Sequence, residues 1–228
     1  MHAGMEAVDL ALCLAVDVSA SVDYDEFGLM AGGYAAAFRD PAIAALCAGG
    51  PRGGIAVAVL FWSGAWPSMG AGTGGPQVAV PWRRIDGAAA ANALAEAIDA
   101  APRQPQPGAT AIGDGMAAAL ALLACCPAEA TRLVLDVSGD GSHNQGRPPG
   151  PVRDIGVAAG VVINGLAVLN EEPDLLEHFQ SEVIGGPGSF VLHCPDYPAF
   201  AEAIRQKLRR EIGGLLLAGS DAPSRGPA

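Results

Sequence analysis

The sequence predicts a doubly wound α/β sheet covered by helices on both faces, and three observations carry that prediction. Val8–Val16, Gly54–Trp62, Thr131–Val137 and Val161–Leu169 are near-continuous apolar runs of strand length, the pattern of strands buried on both faces. Segments with apolar residues at helical spacing lie between them. Half of the 228 residues are apolar, enough for a sizeable core in one domain.

Val8–Val16 is the first strand. After the polar break Asp17–Ser21, Asp23 and Glu26 have the spacing of a capping box. Phe27, Met30, Ala31, Tyr34 and Phe38 then recur at helical spacing until Asp40-Pro41 ends the segment. Gly54–Trp62 is the second strand. A glycine-rich loop, residues 70–75, leads to a short third strand, Gln77–Trp82, and so compact a link predicts an antiparallel strand at the sheet edge. Ala88–Ala101 is helical and closed by the Pro/Gln segment Pro102–Pro107. Ile112, Met116, Leu120 and Leu123 mark the next helix face. Thr131–Val137 and Val161–Leu169 are strands four and five, with Val152–Ala159 helical between them. Pro173–Glu182 reads as a helix, Ser189–His193 as a last strand and Asp196–Ile212 as a closing amphipathic helix. The expected organisation is one domain over residues 1–217, followed by a disordered tail, 218–228, rich in Gly, Pro, Ser and Ala.

Composition excludes several classes. With 24 acidic and 13 basic side chains the formal charge is −11, and the chain has a single Lys, Lys207. That balance does not fit a nucleic-acid footprint; cations or basic partners suit it better. No apolar run approaches the length of a membrane helix, since the longest, Met116–Cys126, stops at Pro127. No basic-then-apolar leader is visible, which leaves open a cytoplasmic protein or an exported form without its leader. The five cysteines lack C-x-x-C spacing and read as small apolar residues rather than a disulfide framework or zinc site. Gly70–Gly75 matches G-x-G-x-x-G but precedes a strand instead of opening a helix, so the dinucleotide context fails.

The chemistry-bearing residues gather where the crevice of such a sheet lies, beyond the carboxyl ends of the strands. Strand one runs into Asp17-Val18-Ser19-Ala20-Ser21, strand four into Ser138-Gly139-Asp140-Gly141-Ser142, and Gly108-Ala109-Thr110 precedes the Ile112 helix. Alternate residues of an extended loop face one way, so Asp17, Ser19 and Ser21 can converge. Two carboxylates and three hydroxyls form a hard-oxygen set suited to Mg²⁺, Mn²⁺ or Ca²⁺. An ion held largely by neutral hydroxyls keeps uncancelled charge and favours one more anionic oxygen from outside, a binding device more naturally than a catalytic one.

At these residues the chain resembles the von Willebrand factor A domain with its metal-ion-dependent adhesion site, also found in integrin inserted domains. D-x-S-x-S, a Gly-x-Thr loop and a later Asp-Gly carry the resemblance, which spans roughly residues 8–212. More narrowly, the segments LAVDVSASVD, GPRGGIAVAVLFWSG, VPWRRID, TAIGDGM, DVSGDGSHNQG, VVINGLAV and IGGPGSFV are similar to an uncharacterised bacterial family of such domains. The resemblance implies a mostly parallel sheet with one antiparallel edge strand. It also implies Ser19, Ser21 and Thr110 as direct metal ligands, with Asp17 and Asp140 binding directly or through water. The function implied is non-enzymatic: the metal accepts an Asp or Glu carboxylate from a protein partner. The sequence departs from the broader pattern in reading Ser-Gly-Asp-Gly where Thr-Asp-Gly is more frequent, so Asp140 is preferred to Asp136.

Other polar residues have plainer readings. Asp136, inside an apolar strand, reads as a buried, hydrogen-bonded structural acid. Asp114 reads as a solvated first-turn acid, His143 as exposed near the rim, and Arg205, Lys207, Arg209 and Arg210 as a solvated helix face. A second functional class stays open: a metal-dependent phosphate-handling hydrolase with Asp17 as nucleophile. Against it stand Ser19 where haloacid-dehalogenase-like enzymes have a second Asp, and the lone Lys in the last helix.

Overall fold

The computed structural model describes residues 5–65, 75–104 and 108–218. Most of the Gly70–Gly75 loop and of the 218–228 tail, and the end of the Pro102–Pro107 segment, lie outside those residues.

Six strands form the sheet: β1 (Val8–Asp17), β2 (Ile55–Trp62), β3 (Gln77–Ile85), β4 (Ala130–Gly139), β5 (Val161–Val168) and β6 (Val191–Cys194). Their spatial order is β3-β2-β1-β4-β5-β6. Every neighbouring pair is parallel except β2 with β3, which is antiparallel and forms the edge. Between the strands run α1 (Tyr24–Arg39), α2 (Pro41–Ala48), α3 (Ala88–Asp99), α4 (Ile112–Ala124), α5 (Pro149–Ala158) and α6 (Leu175–His178), and α7 (Phe200–Ala218) follows β6.

Burial on both faces explains the unbroken apolar runs. On β1, Leu10, Leu12 and Leu14 pack with Tyr34 and Phe38 of α1, Leu94 of α3 and Ile204 of α7. The alternate residues Ala11, Cys13 and Ala15 meet Ile112 and Met116 of α4 and Val152 of α5 on the opposite face. Each fully buried Leu or Phe contributes about 1.5–3 kcal/mol of transfer free energy, so both faces require apolar residues throughout.

The departures from expectation have local causes. Pro41–Ala48 is a helix: Asp40 closes α1 and caps α2, its carboxylate accepting the Ala42 amide at 2.8 Å, with Pro41 in the first turn. β3 runs three residues past Trp82, because Arg83, Arg84 and Ile85 still pair with Val57, Ala56 and Ile55. The expected Pro173–Glu182 helix is the short α6 followed by a π-helical turn, Phe179–Val183. α7 begins later than Asp196 and continues to Ala218. Cys13, Cys47 and Cys194 are buried, whereas Cys125 is exposed.

The strand order places the crevice. β1 lies between β2 and β4, and the chain leaves β1 for α1 on one face and β4 for α5 on the other. The carboxyl ends of β1 and β4 therefore open a gap that neither helix covers, at the topological switch point.

Candidate metal centre

Asp17 is the last residue of β1 and is fully buried. Its Oδ1 accepts the Ser19 amide at 2.7 Å, a side-chain turn that folds the following loop back over the strand end. The Ser19 and Ser21 hydroxyls lie 3.1 Å apart, and Ser21 Oγ donates to Asp140 Oδ1 at 2.7 Å. Beyond them the capping box forms: Asp23 accepts the Glu26 amide and Glu26 accepts the Asp23 amide, each at 2.8 Å.

Thr110 arrives on a loop pinned from both sides. The Gly108 amide donates to Ser63 Oγ at 2.7 Å, and the Gly108 carbonyl accepts the Ala20 amide at 2.8 Å. The Thr110 amide donates to Asn144 Oδ1 at 2.9 Å, while its carbonyl accepts the Asn144 amide at 3.1 Å. Two glycines leave room in the cradle. A Cβ on Gly139 would stand 3.0 Å from Asp17 Oδ2, and one on Gly141 would stand 3.4 Å from Thr110 Oγ1. Asp17, Ser19, Ser21, Thr110 and Asp140 are thus brought together at one sheet edge. No group of three or more His, Cys, Asp and Glu side chains clusters to hold a metal among the described residues. The acids of this set number only two, and its other oxygens are neutral.

The electrostatics are those of a buried acid pair only partly compensated by hydrogen bonds and by the more distant Arg103 charge. No donor among the described residues reaches Asp17 Oδ2 or Asp140 Oδ2, although both atoms are buried. Burial first, and then the charge of Asp140, push the Asp17 carboxyl up to about 8. Burial also raises Asp140, opposed by the Ser21 hydrogen bond. Two buried carboxylates held together, each with one oxygen that no donor reaches, are costly in the ionised state, and the donor set fits a hard divalent cation.

Four supporting residues were not singled out in the sequence. Arg103 donates to the carbonyls of Ser19 (3.0 Å), Val18 (3.4 Å) and Val22, clamping the Asp17 loop from behind, with its guanidinium 5.1 Å from the Tyr24 ring centre. Glu172 accepts the amide and hydroxyl of Ser142 at 3.0 and 2.5 Å, fixing the Asp140 loop. Ser63 anchors Gly108, and Tyr197 is buried with its phenol facing Asp140, whose charge adds to burial in raising it. Only their residue types were visible, because each acts across a long sequence separation.

The polar residues given plainer readings divide. Asp136 is buried and paired: Lys207 Nζ lies 2.5 Å from Asp136 Oδ1 and donates to Glu211 Oε1 at 2.6 Å. Lys207 is therefore not part of a solvated face; it is wholly buried, because its spacing puts it on the same face of α7 as the buried Phe200, Ile204, Leu208 and Glu211. Asp114 is also buried rather than solvated and pairs with Arg147 at 3.1 Å. The close approach is possible because α4 carries Gly113 against the Arg147 carbonyl. His143 is half-buried, its amide donating to His178 Nε2 at 3.2 Å.

The architecture is that of a von Willebrand factor type A domain. A von Willebrand factor type A structure from Catenulispora acidiphila matches with a TM-score of 0.61 and 19% identity over 91% of this chain and 43% of that one. Proximal thread matrix protein 1 from the mussel byssus, with a zinc-occupied MIDAS motif, matches with a TM-score of 0.59 and 17% identity over 89% and 46% of the two chains. The pilus adhesin SpaC from Lactobacillus rhamnosus GG matches with a TM-score of 0.63 and 14% identity over 92% and 31%. The chain thus spans less than half the length of these proteins. No curated protein matches it in sequence. The model of the family described as "Protein of unknown function (DUF1194)" matches residues 7–216, and the chain belongs to that family.

Proposed function

We propose that Asp17, Ser19, Ser21, Thr110 and Asp140 hold a divalent cation, Mg²⁺ or the similar Mn²⁺ or Ca²⁺, and that the chain is a non-enzymatic, cation-dependent protein-binding module. The observation that carries this reading is the pair of buried Oδ2 atoms on Asp17 and Asp140 that no donor reaches, set among three hydroxyls. A bound cation supplies, at this edge, positive charge that two carboxylates and three neutral oxygens leave available for an Asp or Glu of a partner. The chain's own residues do the rest. Arg103 fixes the Asp17 loop, Asn144 fixes Thr110, and Glu172 fixes the Asp140 loop, so the five oxygens are held before any partner arrives. The zinc-occupied MIDAS motif of the mussel protein supports a divalent ion in this fold, and the pilus adhesin supports a binding role.

Asp17 as a nucleophile in phosphate hydrolysis has less support. The single Lys is buried with Asp136 and Glu211, and the Arg103 Nη2 group is turned to backbone carbonyls. No helix among the described residues is long and apolar enough to cross a membrane. The test is capture of protein partners from the native host on immobilised protein, with and without chelator. The proposal expects proteins retained in Mg²⁺, released by chelator and absent on Asp17→Ala. Retention indifferent to chelator contradicts it, as does phosphatase activity lost in Asp17→Asn.

A further inference from the structure

A second cleft lies toward the opposite end of the sheet. Arg132 on its wall is the third residue of β4, and the seven steps from it to Gly139 place it roughly 23 Å from the metal loops. The cleft has a volume of about 520 Å³ between β4, β5, the segment ahead of β6 and the last turns of α7, with Arg132, Asn164, Phe190, Arg210, Gly213 and Gly214 among its walls. That volume suits a metabolite-sized molecule rather than a bare ion.

Two guanidinium groups on these walls are under-used. Arg205 and Arg209 of α7 both pair with Asp40, at 3.7 and 3.2 Å. Arg132 and Arg210 form no ion pair among the described residues, in a chain of net charge −11. Among the described residues the Arg132 guanidinium forms one hydrogen bond, to the Glu211 carbonyl at 3.4 Å, and burial of the group holds its pKa below the usual arginine range. The Arg210 guanidinium stacks 3.8 Å from the Phe190 ring centre, which fixes its plane and leaves its N–H edges free. Phe190 is itself held, its amide donating to Asn164 Oδ1 at 3.0 Å while Asn164 Nδ2 donates to Glu211 Oε1 at 2.9 Å. The Glu211 carboxylate is turned to Asn164 and Lys207, so the buried ion group forms the floor that positions the arginines.

We propose that this cleft binds a small organic anion, whose carboxylate or phosphate group is received by Arg132 and Arg210. Guanidinium groups with no ion-pair partner among the described residues, half-buried at Arg132 and exposed at Arg210, gain charge-assisted hydrogen bonds from such a group, and their planar forks favour oxyanions over chloride. This reading is independent of the metal centre.

The experiment is thermal unfolding and calorimetric titration of the full chain with inorganic phosphate and, separately, succinate, in chelator and at fixed ionic strength set by NaCl. At least one anion raises the unfolding midpoint by 2 °C or more at 10 mM over the chloride control, roughly the effect of a ligand a few-fold above its Kd. The anion that does so identifies the head group. Arg132→Gln and Arg210→Gln raise the apparent Kd at least tenfold, while Asp17→Ala leaves it unchanged. Should Arg132→Gln fail to fold, Arg210→Gln on the exposed side of α7 still decides. No shift beyond chloride with either anion, or undiminished binding in Arg210→Gln, overturns the proposal.

Discussion

Strand β4 delivers two buried aspartates four residues apart, and they are treated in opposite ways. Asp136 faces α7, where Lys207 bridges it to Glu211 and Asn164 satisfies Glu211 in turn. Asp140, past the end of the strand, meets Asp17 and three hydroxyls, and among the described residues neither acid has an ion-pair partner such as Lys207 gives Asp136. Burial raises both, but at Asp136 a cation of the chain opposes the shift, whereas at Asp140 only hydrogen bonds do. The contrast teaches that the chain supplies a counter-charge to one buried acid and none to the other, and the proposed cation is what would supply it there.

The largest effect is expected from removing the internal cation. Lys207→Met strands two buried carboxylates and should destabilise the fold by about 3–5 kcal/mol in urea unfolding. The triple variant Lys207→Met, Asp136→Asn, Glu211→Gln should recover most of that loss. A neutral Lys207→Met would break the contrast, since Asp136 would then need no partner.

A smaller effect belongs to pH at the proposed metal centre. With its folded pKa at about 8 against an ordinary 3.8, Asp17 binds a proton in the folded state over an interval in which the unfolded chain has lost it. Metal-free stability therefore falls as pH rises from about 4 to about 8, by on the order of a few kcal/mol from this group. Asp136 slopes the same way, so the test is the difference between the wild type and Asp17→Asn, followed by denaturant unfolding across that interval. Asp17→Asn should flatten part of the decline, and an unchanged profile would show that Asp17 does not titrate as a buried acid.

The smallest effect sharpens the comparison by touching only the scaffold of the rim. Arg103→Ala removes the Nη2 group shared among the Val18, Ser19 and Val22 carbonyls. It should cost about 1–2 kcal/mol of stability and weaken Mn²⁺ binding about tenfold, as seen in unfolding and in titration. Equal Mn²⁺ affinity in Arg103→Ala would mean the loop holds its shape unaided.

Legibility in the sequence followed the range of each interaction. β1, β2, β4 and β5 were plain because burial on both faces writes an unbroken apolar run, and the Asp23–Glu26 box was plain because its partners are three residues apart. The Asp17 and Asp140 loops could be placed at one edge because the parallel strands β1 and β4 end on the same side, whereas the Thr110 loop joins α3 to α4 and follows no strand. α2 had its signals, Asp40 as cap and Pro41 in the first turn, but its eight residues are too few for helical periodicity to stand out. Lys207 looked like its arginine neighbours, and nothing local marks it as the residue that reaches Asp136 across 71 positions. Arg103, Glu172 and Tyr197 escaped for the same reason: their partners are set by topology. Asp114 was misjudged because its burial depends on how closely the 140–148 loop lies against Gly113.

The most direct test of the central claim is calorimetric titration of Mn²⁺ into the metal-free chain, its Asp17→Ala variant and its Asp140→Ala variant. A single ion per chain binding the wild type, with binding abolished in both variants, is the predicted result. No binding at millimolar Mn²⁺, or equal binding in all three proteins, would contradict it.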